Sequence, residues 1–470
     1  MRPSRLLKTF VSLMVSIFLT GTSDAQTVTK LFSFSNAHSS AAPLSMVVQG
    51  HDGNLYGATS GLGGSVFTDG TVFRATTTGE EGAIHTFDGT DGKIPAGITL
   101  GTDGNLYGAA INGGTSDLGV LFKVSTGGAY TILYSFGVET DGITPSAPPI
   151  EGWDGNFYGT TGPGTGNAGT IYKYSPSGTF STIFSFNSNN LQGSQLETSL
   201  LQGANGNLYG TAQLGGANNC GTIFEISTSG ALLYDYSFPC GTGGAYPAGQ
   251  LIQASDGNFY GTTLQGGSTV ANCGSRGCGV VFKMTKTGVV SVLHRFVGGG
   301  NDGSEPVAGL IQGTDGNLYG STSLGGLAGV GVLYQITTAG TEKLVYSFVN
   351  RVGQHPQATL LQHTNGQFYG TTYQGGQYEE GTLYSLNMGL GPFVTFVLPA
   401  ARVGQKAQIL GQGLTGASGV TFNGVPATTF TVATDTFMTA VVPSGATTGK
   451  VVVSTPSGPL TSNVRFRIIQ

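Results

Sequence analysis

Seven short motifs place an acidic or amide residue four positions before a tyrosine, and the first copy reads Asp52-Gly53-Asn54-Leu55-Tyr56-Gly57. Carboxylates repeated at a fixed spacing could bind metal ions or act as general acids and bases. The first position of the motif is Asp in five copies and Asn in two, namely Asp52, Asp103, Asp154, Asn205, Asp256, Asp315 and Asn365. Because Asn replaces Asp in a turn but not in a charged site, we interpret these positions as two-residue hairpin turns with positive φ at both residues.

Four cysteines are the next candidates for chemistry, and they are Cys220, Cys240, Cys273 and Cys278. Their spacings of 20, 33 and 5 residues differ from those of paired CxxC zinc ligands. An even number of cysteines in an exported protein is typical of disulfides. We predict one disulfide between Cys220 and Cys240, whose loops should share one face of the fold, and another between Cys273 and Cys278 within one enlarged loop. Zinc binding by the four cysteines is the alternative; otherwise we predict neither a metal site nor a cofactor.

The loops around these cysteines hold the candidate binding residues. Long, cross-linked loops on a rigid scaffold are common places for binding. The candidates are Tyr246, Asn272, Arg276, Asn301, Asp302 and Glu305. Solvated loop residues without a ligand are the alternative interpretation. The carboxylates of Asp302 and Glu305 also allow a rival hypothesis, in which they are the general acid and base of a polysaccharide lyase or hydrolase.

Signatures of common catalytic sites are absent from the sequence. It contains no GxSxG elbow, no HExxH motif, no phosphate-binding GxxxxGK[ST] loop and no EF-hand loop. We therefore predict no catalytic residues and favour a non-catalytic binding or scaffold protein. The ligand stays open among a glycan, a surface polymer and a protein partner, and a purely structural envelope protein is a further alternative.

The elements that position these residues follow from the spacing of the motif tyrosines. Those residues are Tyr56, Tyr107, Tyr158, Tyr209, Tyr260, Tyr319 and Tyr369, which are 51, 51, 51, 51, 59 and 50 residues apart. A period of this size is typical of solenoids, propellers and repeat arrays. Each unit contains four short candidate strands separated by turn residues, with apolar residues on both faces. The pattern predicts an all-β protein, with a seven-bladed β-propeller of about 51-residue, four-stranded repeats. The tyrosines are expected to pack between blades, and exposed platforms for stacking sugars are the alternative.

Closure of the ring is predicted from one missing and one spare strand. The third strand of the last unit, Thr382–Leu386, has no fourth strand after it, whereas Leu31–Phe34 precedes the first unit. We predict that 31–34 completes the last blade and so removes exposed sheet edges. An array of β-sandwiches is the main alternative.

Composition and the N-terminal pattern predict where the protein acts. Residues 1–25 have the basic, apolar and small-residue regions of a signal peptide, so we expect a secreted protein in the extracellular space, at the cell surface or in the periplasm. No later apolar run reaches the length of a membrane-spanning helix. Only 9% of residues are charged and the formal net charge is −5, which argues against nucleic-acid binding. The predicted domains are a propeller over 26–388, a linker over 389–392 and a final domain over 393–470.

The repeat and the final domain each resemble a known family. The Asp-Gly-Asn-(Leu/Phe)-Tyr-Gly motif, followed by Gly-Gly and by Gly-Thr-(Val/Ile/Leu)-(Phe/Tyr), resembles the GloVer tandem repeat of exported bacterial proteins, named after Gloeobacter and Verrucomicrobia, over about 31–386. This resemblance implies a location outside the cell interior and no established activity. The final domain, with Gly411-Gln412-Gly413-Leu414 and Gly419-Val420-Thr421-Phe422-Asn423-Gly424, resembles an IPT/TIG domain, which is an immunoglobulin-like sandwich.

Overall fold

The computed structural model describes residues 26–35, 41–61, 69–137, 141–164, 166–187, 189 and 191–469. These residues form the strands β1–β41 and two short 3₁₀ helices, Gly241–Gly243 and Gly274–Arg276. The all-β fold class predicted from the sequence is therefore confirmed. The predicted signal peptide at 1–25 lies outside the described residues. Within the described part of the chain, no helix is long and apolar enough to cross a membrane.

Four antiparallel sheets follow one another in the first half of the chain, after β1 (Thr27–Ser33). Sheet 1 contains β2 (Val48–Gln49), β3 (Leu55–Thr59), β4 (Thr71–Ala75) and β5 (Glu81–Thr86). Sheet 2 contains β6 (Lys93–Leu100), β7 (Leu106–Asn112), β8 (Val120–Val124) and β9 (Tyr130–Ser135). Sheet 3 contains β10 (Ile150–Glu151), β11 (Phe157–Thr161), β12 (Asn167–Tyr174) and β13 (Phe180–Asn187). Sheet 4 contains β14 (Leu201–Gln202), β15 (Leu208–Ala212), β16 (Thr222–Ile226) and β17 (Leu232–Ser237).

Three further sheets continue the pattern. Sheet 5 contains β18 (Ala245–Pro247), β19 (Ile252–Gln253), β20 (Phe259–Gln265), β21 (Val280–Met284) and β22 (Val290–Arg295). Sheet 6 contains β24 (Ile311–Gln312), β25 (Leu318–Thr322), β27 (Val332–Ile336) and β28 (Glu342–Ser347), beside a small pair of β23 (Gly303–Ser304) and β26 (Leu324–Gly325). Sheet 7 contains β29 (Leu361–Gln362), β30 (Phe368–Thr372) and β31 (Thr382–Asn387), and its fourth strand is β1, which pairs antiparallel with β31.

The sheets pack against each other through both faces, as their apolar pattern predicts. In every sheet, the strand that contains the motif tyrosine has its first five residues buried. These strands are β3, β7, β11, β15, β20, β25 and β30. The motif tyrosines are buried too, and Tyr107 stacks on Phe157 of the next sheet with ring centroids 3.9 Å apart. The prediction that these tyrosines pack between repeats is confirmed.

Glycine at position 57 is needed for a close approach, because a Cβ there would lie 2.5 Å from Cζ of Phe73 in the third strand. Tyr56 lies over Gly50, where a Cβ would be 2.5 Å from its Cε2. The position of Gly57 is glycine in all seven units, whereas the position of Gly50 is Ala254 in the fifth unit and His363 in the seventh.

The turn at the motif differs from the expected two-residue hairpin. Gly53 has a positive φ of 77°, but Asp52 does not belong to the positive-φ residues. The Gly53 N–H donates to the Gly50 carbonyl, and the Gly50 N–H donates to the Asn54 carbonyl. This pattern is a β-turn that continues into a left-handed glycine, so the loop has one residue more than we predicted.

The remaining strands form a separate unit after β31. One sheet contains β32 (Thr395–Phe396), β34 (Lys406–Leu410), β37 (Phe430–Val432) and β38 (Phe437–Val441). A second contains β35 (Gly419–Phe422), β36 (Val425–Pro426), β39 (Val451–Thr455) and β40 (Gly458–Thr461). A parallel pair, β33 (Ala400–Arg402) with β41 (Arg467–Ile469), completes the unit. One hydrophobic core that includes Ile409, Phe422, Met438 and Val451 joins the two larger sheets.

Candidate functional site

A cavity of about 540 Å³ lies where the first strands of the seven sheets converge. Each sheet contributes residues of its first strand or of the segment leading into it, and examples are Leu44, Ile98, Ser146, Glu197, Ala248, Val307 and Gln357. The lining is mainly apolar, with amide and hydroxyl groups between. Among the described lining residues, Glu197 is the one with a carboxylate side chain.

The antiparallel order of the strands gives the repeat unit two faces. The turn face carries the hairpins that join the first strand of each sheet to the second, including the Asp52 turn. The loop face carries the loops that follow the second and fourth strands. The C-terminal unit reaches the cavity from the turn face, because Phe396, Val397 and Leu410 belong to the lining.

Contacts between the C-terminal unit and the turn face hold this arrangement. The rings of His51 and Phe437 stack with centroids 3.7 Å apart. The Thr436 hydroxyl donates to the His51 carbonyl at 2.7 Å, and the Thr364 hydroxyl donates to the Gly411 carbonyl at 3.0 Å. Burial at this interface lowers the pKa of His51. The C-terminal unit therefore covers the end of the cavity at the turn face.

Trp153, the single tryptophan of the chain, belongs to the same interface. The guanidinium carbon of Arg467 lies 4.7 Å from the centre of the Trp153 ring. A cation–π contact of this kind contributes about 0.5 to 1 kcal/mol when it is partly exposed. Trp153 thus packs against the C-terminal unit.

The loop face carries both disulfides that we predicted. Cys220 and Cys240 are bonded, and so are Cys273 and Cys278. Cys220 lies in the loop after the second strand of sheet 4, and Cys240 lies in the loop after its fourth strand. The first disulfide therefore fixes two loops of one sheet together, and the second fixes the enlarged loop of sheet 5.

Two predicted binding residues, Tyr246 and Glu305, occupy a strained backbone position that occurs in every repeat. One non-glycine residue with φ between 50° and 60° lies before the first strand of each sheet or within the first residues of that strand, and these residues are Ala42, Ile94, Thr144, Gln195, Tyr246, Glu305 and His355. Such conformations cost about 1 to 3 kcal/mol and persist where neighbouring contacts hold them. The Glu305 N–H donates to the Cys278 carbonyl of sheet 5, and the Glu305 carbonyl accepts from Ser323 of sheet 6. The position links adjacent sheets through its backbone.

The other four predicted binding residues differ in their exposure. Asn272, Arg276 and Asn301 are exposed on the loop face. Asp302 is buried, with 7% of its surface exposed, and its carboxylate accepts hydrogen bonds from the N–H groups of Val297 and Gly303, each at 2.7 Å. The structure thus brings Asp302 into the interior, whereas the other three face solvent.

The acidic residue of the motif makes bonds within its own hairpin. The Asp52 carboxylate accepts from the Asn54 backbone N–H at 3.1 Å, from the Asn54 side chain at 2.6 Å and from the Tyr56 hydroxyl at 2.8 Å. In the variant copies, the Asn205 and Asn365 amides donate to the hydroxyls of Tyr209 and Tyr369, each at 2.9 Å. An amide and a carboxylate both satisfy the tyrosine, which supports the structural interpretation of these positions.

Glu197 is a lining residue that was not predicted from the sequence. It is exposed to the cavity, yet the surrounding protein raises the pKa of its carboxyl through desolvation. Glu197 lies two residues after the strained position of sheet 4, where the equivalent residues of other sheets include Ala96, Ser146 and Ala248. An alignment of the seven repeats would show that Glu197 is acidic where the equivalent residues are not. It would not show that this position faces a cavity.

Comparison with known proteins places the repeat in a family. The sequence profile of the Gloeobacter/Verrucomicrobia repeat matches residues 62–271 and 268–425, which is most of the chain. No curated protein matches the sequence. The profile matches support the repeat that the motif spacing indicated.

Solved structures with low sequence identity share the fold. One is a fungal alcohol oxidase of the AA5 family in complex with copper, with 14% identity, a TM-score of 0.55 and coverage of 94% of this chain and 99% of that chain. Another is the extracellular domain of a protein described as a hybrid two-component system of B. thetaiotaomicron, with 12% identity and a TM-score of 0.50. That alignment covers 94% of this chain and 57% of the other. At these identities the likeness concerns the fold alone.

Proposed function

The chain belongs to the Gloeobacter/Verrucomicrobia repeat family, and from this premise we propose that it is an exported, non-catalytic binding protein. Its proposed architecture is a seven-bladed β-propeller over 26–388, a linker over 389–392 and an immunoglobulin-like IPT/TIG domain over 393–470. Six four-stranded sheets, one five-stranded sheet and the pairing of β1 with β31 support the propeller. Two packed sheets after residue 392 support the immunoglobulin-like domain. Two disulfides fit a secreted protein of the extracellular space, cell surface or periplasm.

One observation carries the proposed binding function, namely that the C-terminal unit covers the turn-face end of the cavity. A ligand would then enter from the loop face, where disulfides fix the loops of sheets 4 and 5. The cavity volume of about 540 Å³ falls within the range of small-molecule pockets. We place the binding site at this cavity mouth and the exposed loops beside it.

The lining favours a neutral ligand rich in hydroxyl groups, such as the end of a glycan chain. Gln250, Gln357 and Ser199 offer hydrogen-bonding groups, and Leu44 and Ile98 offer apolar surface. Such a mixture of apolar walls and a few polar groups is typical of ligand pockets. A surface polymer or a protein partner are the alternatives, and neither a nucleic acid nor a cofactor is part of the proposal.

The copper chemistry of the similar oxidase does not fit this cavity. Copper in proteins is held by imidazole, thiolate or thioether ligands. Among the described lining residues, Met46 and Glu197 are the available ligands, and neither His nor Cys belongs to the lining. We therefore propose no copper-dependent step.

The rival enzyme hypothesis lacks a supporting arrangement. Neither Asp302 nor Glu305 belongs to the cavity lining. Asp302 faces His294, with 3.8 Å between Oδ2 and Nε2, and a Glu305 oxygen lies 3.5 Å from the Ser323 hydroxyl. These contacts direct the two carboxylates to different partners.

The test is binding of the protein without residues 1–25 to a glycan array, followed by calorimetry with the best neutral oligosaccharide. Ala248→Phe narrows the cavity and Arg276→Ala alters the loop face, so both should weaken binding at least about tenfold, or 1.4 kcal/mol. Lys286→Ala is the matched control, because Lys286 is an exposed cation of the same sheet in a hairpin on the turn face. Equal binding by all variants would contradict the proposed site. Product formation that is lost in Glu305→Gln would favour the enzyme hypothesis instead.

A further inference from the structure

Three potential metal ligands meet at the junction between sheets 5 and 6. His294 lies in β22, Asp302 lies in the connection to sheet 6, and Glu342 begins β28. One donor atom from each side chain can be chosen so that all three lie within 4.8 Å of one another. Neither the motif nor the cavity involves these side chains.

The geometry leaves a gap between the imidazole and the carboxylate. His294 Nε2 is 3.8 Å from Asp302 Oδ2, which is too long for a hydrogen bond. This nitrogen is buried and has no hydrogen-bond partner among the described residues. The Asp302 carboxylate is held by the N–H groups of Val297 and Gly303, so its orientation is fixed while lone pairs remain.

The junction between sheets 1 and 2 provides an internal comparison. His85 has the register of His294, since it pairs with Val72 as His294 pairs with Val281. There the imidazole lies 2.9 Å from Asp91 Oδ2 and stacks on Tyr130, with ring centroids 3.9 Å apart. Tyr130 begins β9 as Glu342 begins β28. At the junction of sheets 5 and 6, a carboxylate therefore replaces the stacking ring.

The electrostatics of this replacement favour a cation. Burial raises the pKa of Glu342, the nearby Asp302 raises it further, and His294 acts in the opposite direction. None of the ion pairs among the described residues joins Lys or Arg to either carboxylate. Two half-buried or buried acids thus share one imidazole, and a divalent ion would offset the negative charge of the carboxylates.

We propose that His294, Asp302 and Glu342 bind a divalent transition-metal ion, and that this ion links sheets 5 and 6. One imidazole and two carboxylates are ligands that Zn²⁺ accepts, and they leave a coordination position for water or a further ligand. No metal site was predicted from the sequence, because the three residues come from two repeats and form no spaced motif.

The test uses the protein without residues 1–25, treated with EDTA and then titrated with ZnCl₂ in a calorimeter. We expect one Zn²⁺ per chain and a rise in the midpoint of thermal unfolding when Zn²⁺ is added. His294→Gln and Glu342→Gln should each weaken Zn²⁺ binding at least about tenfold. His85→Gln, at the matched junction, should leave it unchanged.

Two results would overturn the proposal. One is a wild-type protein that binds no Zn²⁺ after EDTA treatment. The other is Zn²⁺ binding that His294→Gln and Glu342→Gln leave intact. Glu342→Tyr is a second variant that should fold, because it reproduces the His85–Tyr130 arrangement. It should have the same thermal unfolding midpoint as the EDTA-treated wild type. It should not bind Zn²⁺.

Discussion

Ser33 lies opposite Thr382 in the antiparallel ladder between β1 and β31, so the first described strand completes sheet 7. The next apolar residue, Phe34, is fully buried and contacts Phe73 of sheet 1, with ring centroids 5.2 Å apart. Without β1, the edge of β31 would expose unpaired backbone groups. One short segment therefore covers a sheet edge and joins sheet 7 to sheet 1.

The Phe34→Ala substitution tests the contribution of this segment. Removing a buried aromatic ring should lower the free energy of unfolding by about 3 to 5 kcal/mol. Leu233→Ala is the control, because Leu233 is 54% exposed on β17 and its loss should change stability by less than about 0.5 kcal/mol. Denaturant unfolding followed by tyrosine fluorescence would measure both. Equal effects of the two substitutions would show that the segment adds no specific stability.

Local features of the fold were predictable from the sequence. The period of the motif tyrosines and the alternation of strands and turns depend on neighbouring residues, and they indicated four-stranded units correctly. The turn type was predicted wrongly, because an Asp-Gly pair fits both a two-residue turn and the observed loop, in which only Gly53 has a positive φ. The pairing of Cys220 with Cys240 followed from strand order alone.

Contacts between distant segments could not be predicted in the same way. His51 and Phe437 stack although 386 residues separate them, and no pattern in either segment indicates the partner. The same holds for His294 and Glu342, which approach each other only because β22 and β28 lie in adjacent sheets. Asp302 was predicted to be a loop residue available to a ligand, and its burial depends on bonds to Val297 and Gly303 that sequence does not reveal.

Substitution of the motif acid distinguishes charge from hydrogen bonding. The Asp103 carboxylate accepts a hydrogen bond from the Tyr107 hydroxyl at 2.8 Å. At the equivalent positions Asn205 and Asn365, the side-chain amide donates a hydrogen bond to the tyrosine hydroxyl instead. Asp103→Asn should therefore change the free energy of unfolding by less than about 0.5 kcal/mol. Asp103→Ala should lower it by about 1 to 3 kcal/mol, because the hydroxyl and the turn lose their partner. An equal loss in both variants would mean that the charge matters most.

Acid should weaken the repeats through the same carboxylates. Burial alone would raise the pKa of Asp103, Asp154 and Asp256, but hydrogen bonds from the motif Asn and Tyr, together with nearby lysines, lower it overall. A carboxyl with a lowered pKa in the folded state stabilises the protein above its unfolded pKa of about 3.9. This stability is lost as the pH falls from about 4 through the folded pKa. The thermal unfolding midpoint should drop more steeply below pH 4 in the wild type than in an Asp103→Asn, Asp154→Asn and Asp256→Asn triple variant, and parallel curves would contradict this assignment.

A second metal site should appear when the junction of sheets 1 and 2 receives the missing carboxylate. Tyr130→Glu places an acid beside His85 and Asp91, as Glu342 lies beside His294 and Asp302. Calorimetry should then give two Zn²⁺ ions per chain instead of one, if ligand identity at this position decides metal binding. Tyr130→Gln is the control, because it removes the same ring stacking but supplies no charge, and it should bind one. A folded Tyr130→Glu variant that binds a single Zn²⁺ would show that the closer His85–Asp91 contact of 2.9 Å, rather than the third ligand, distinguishes the two junctions.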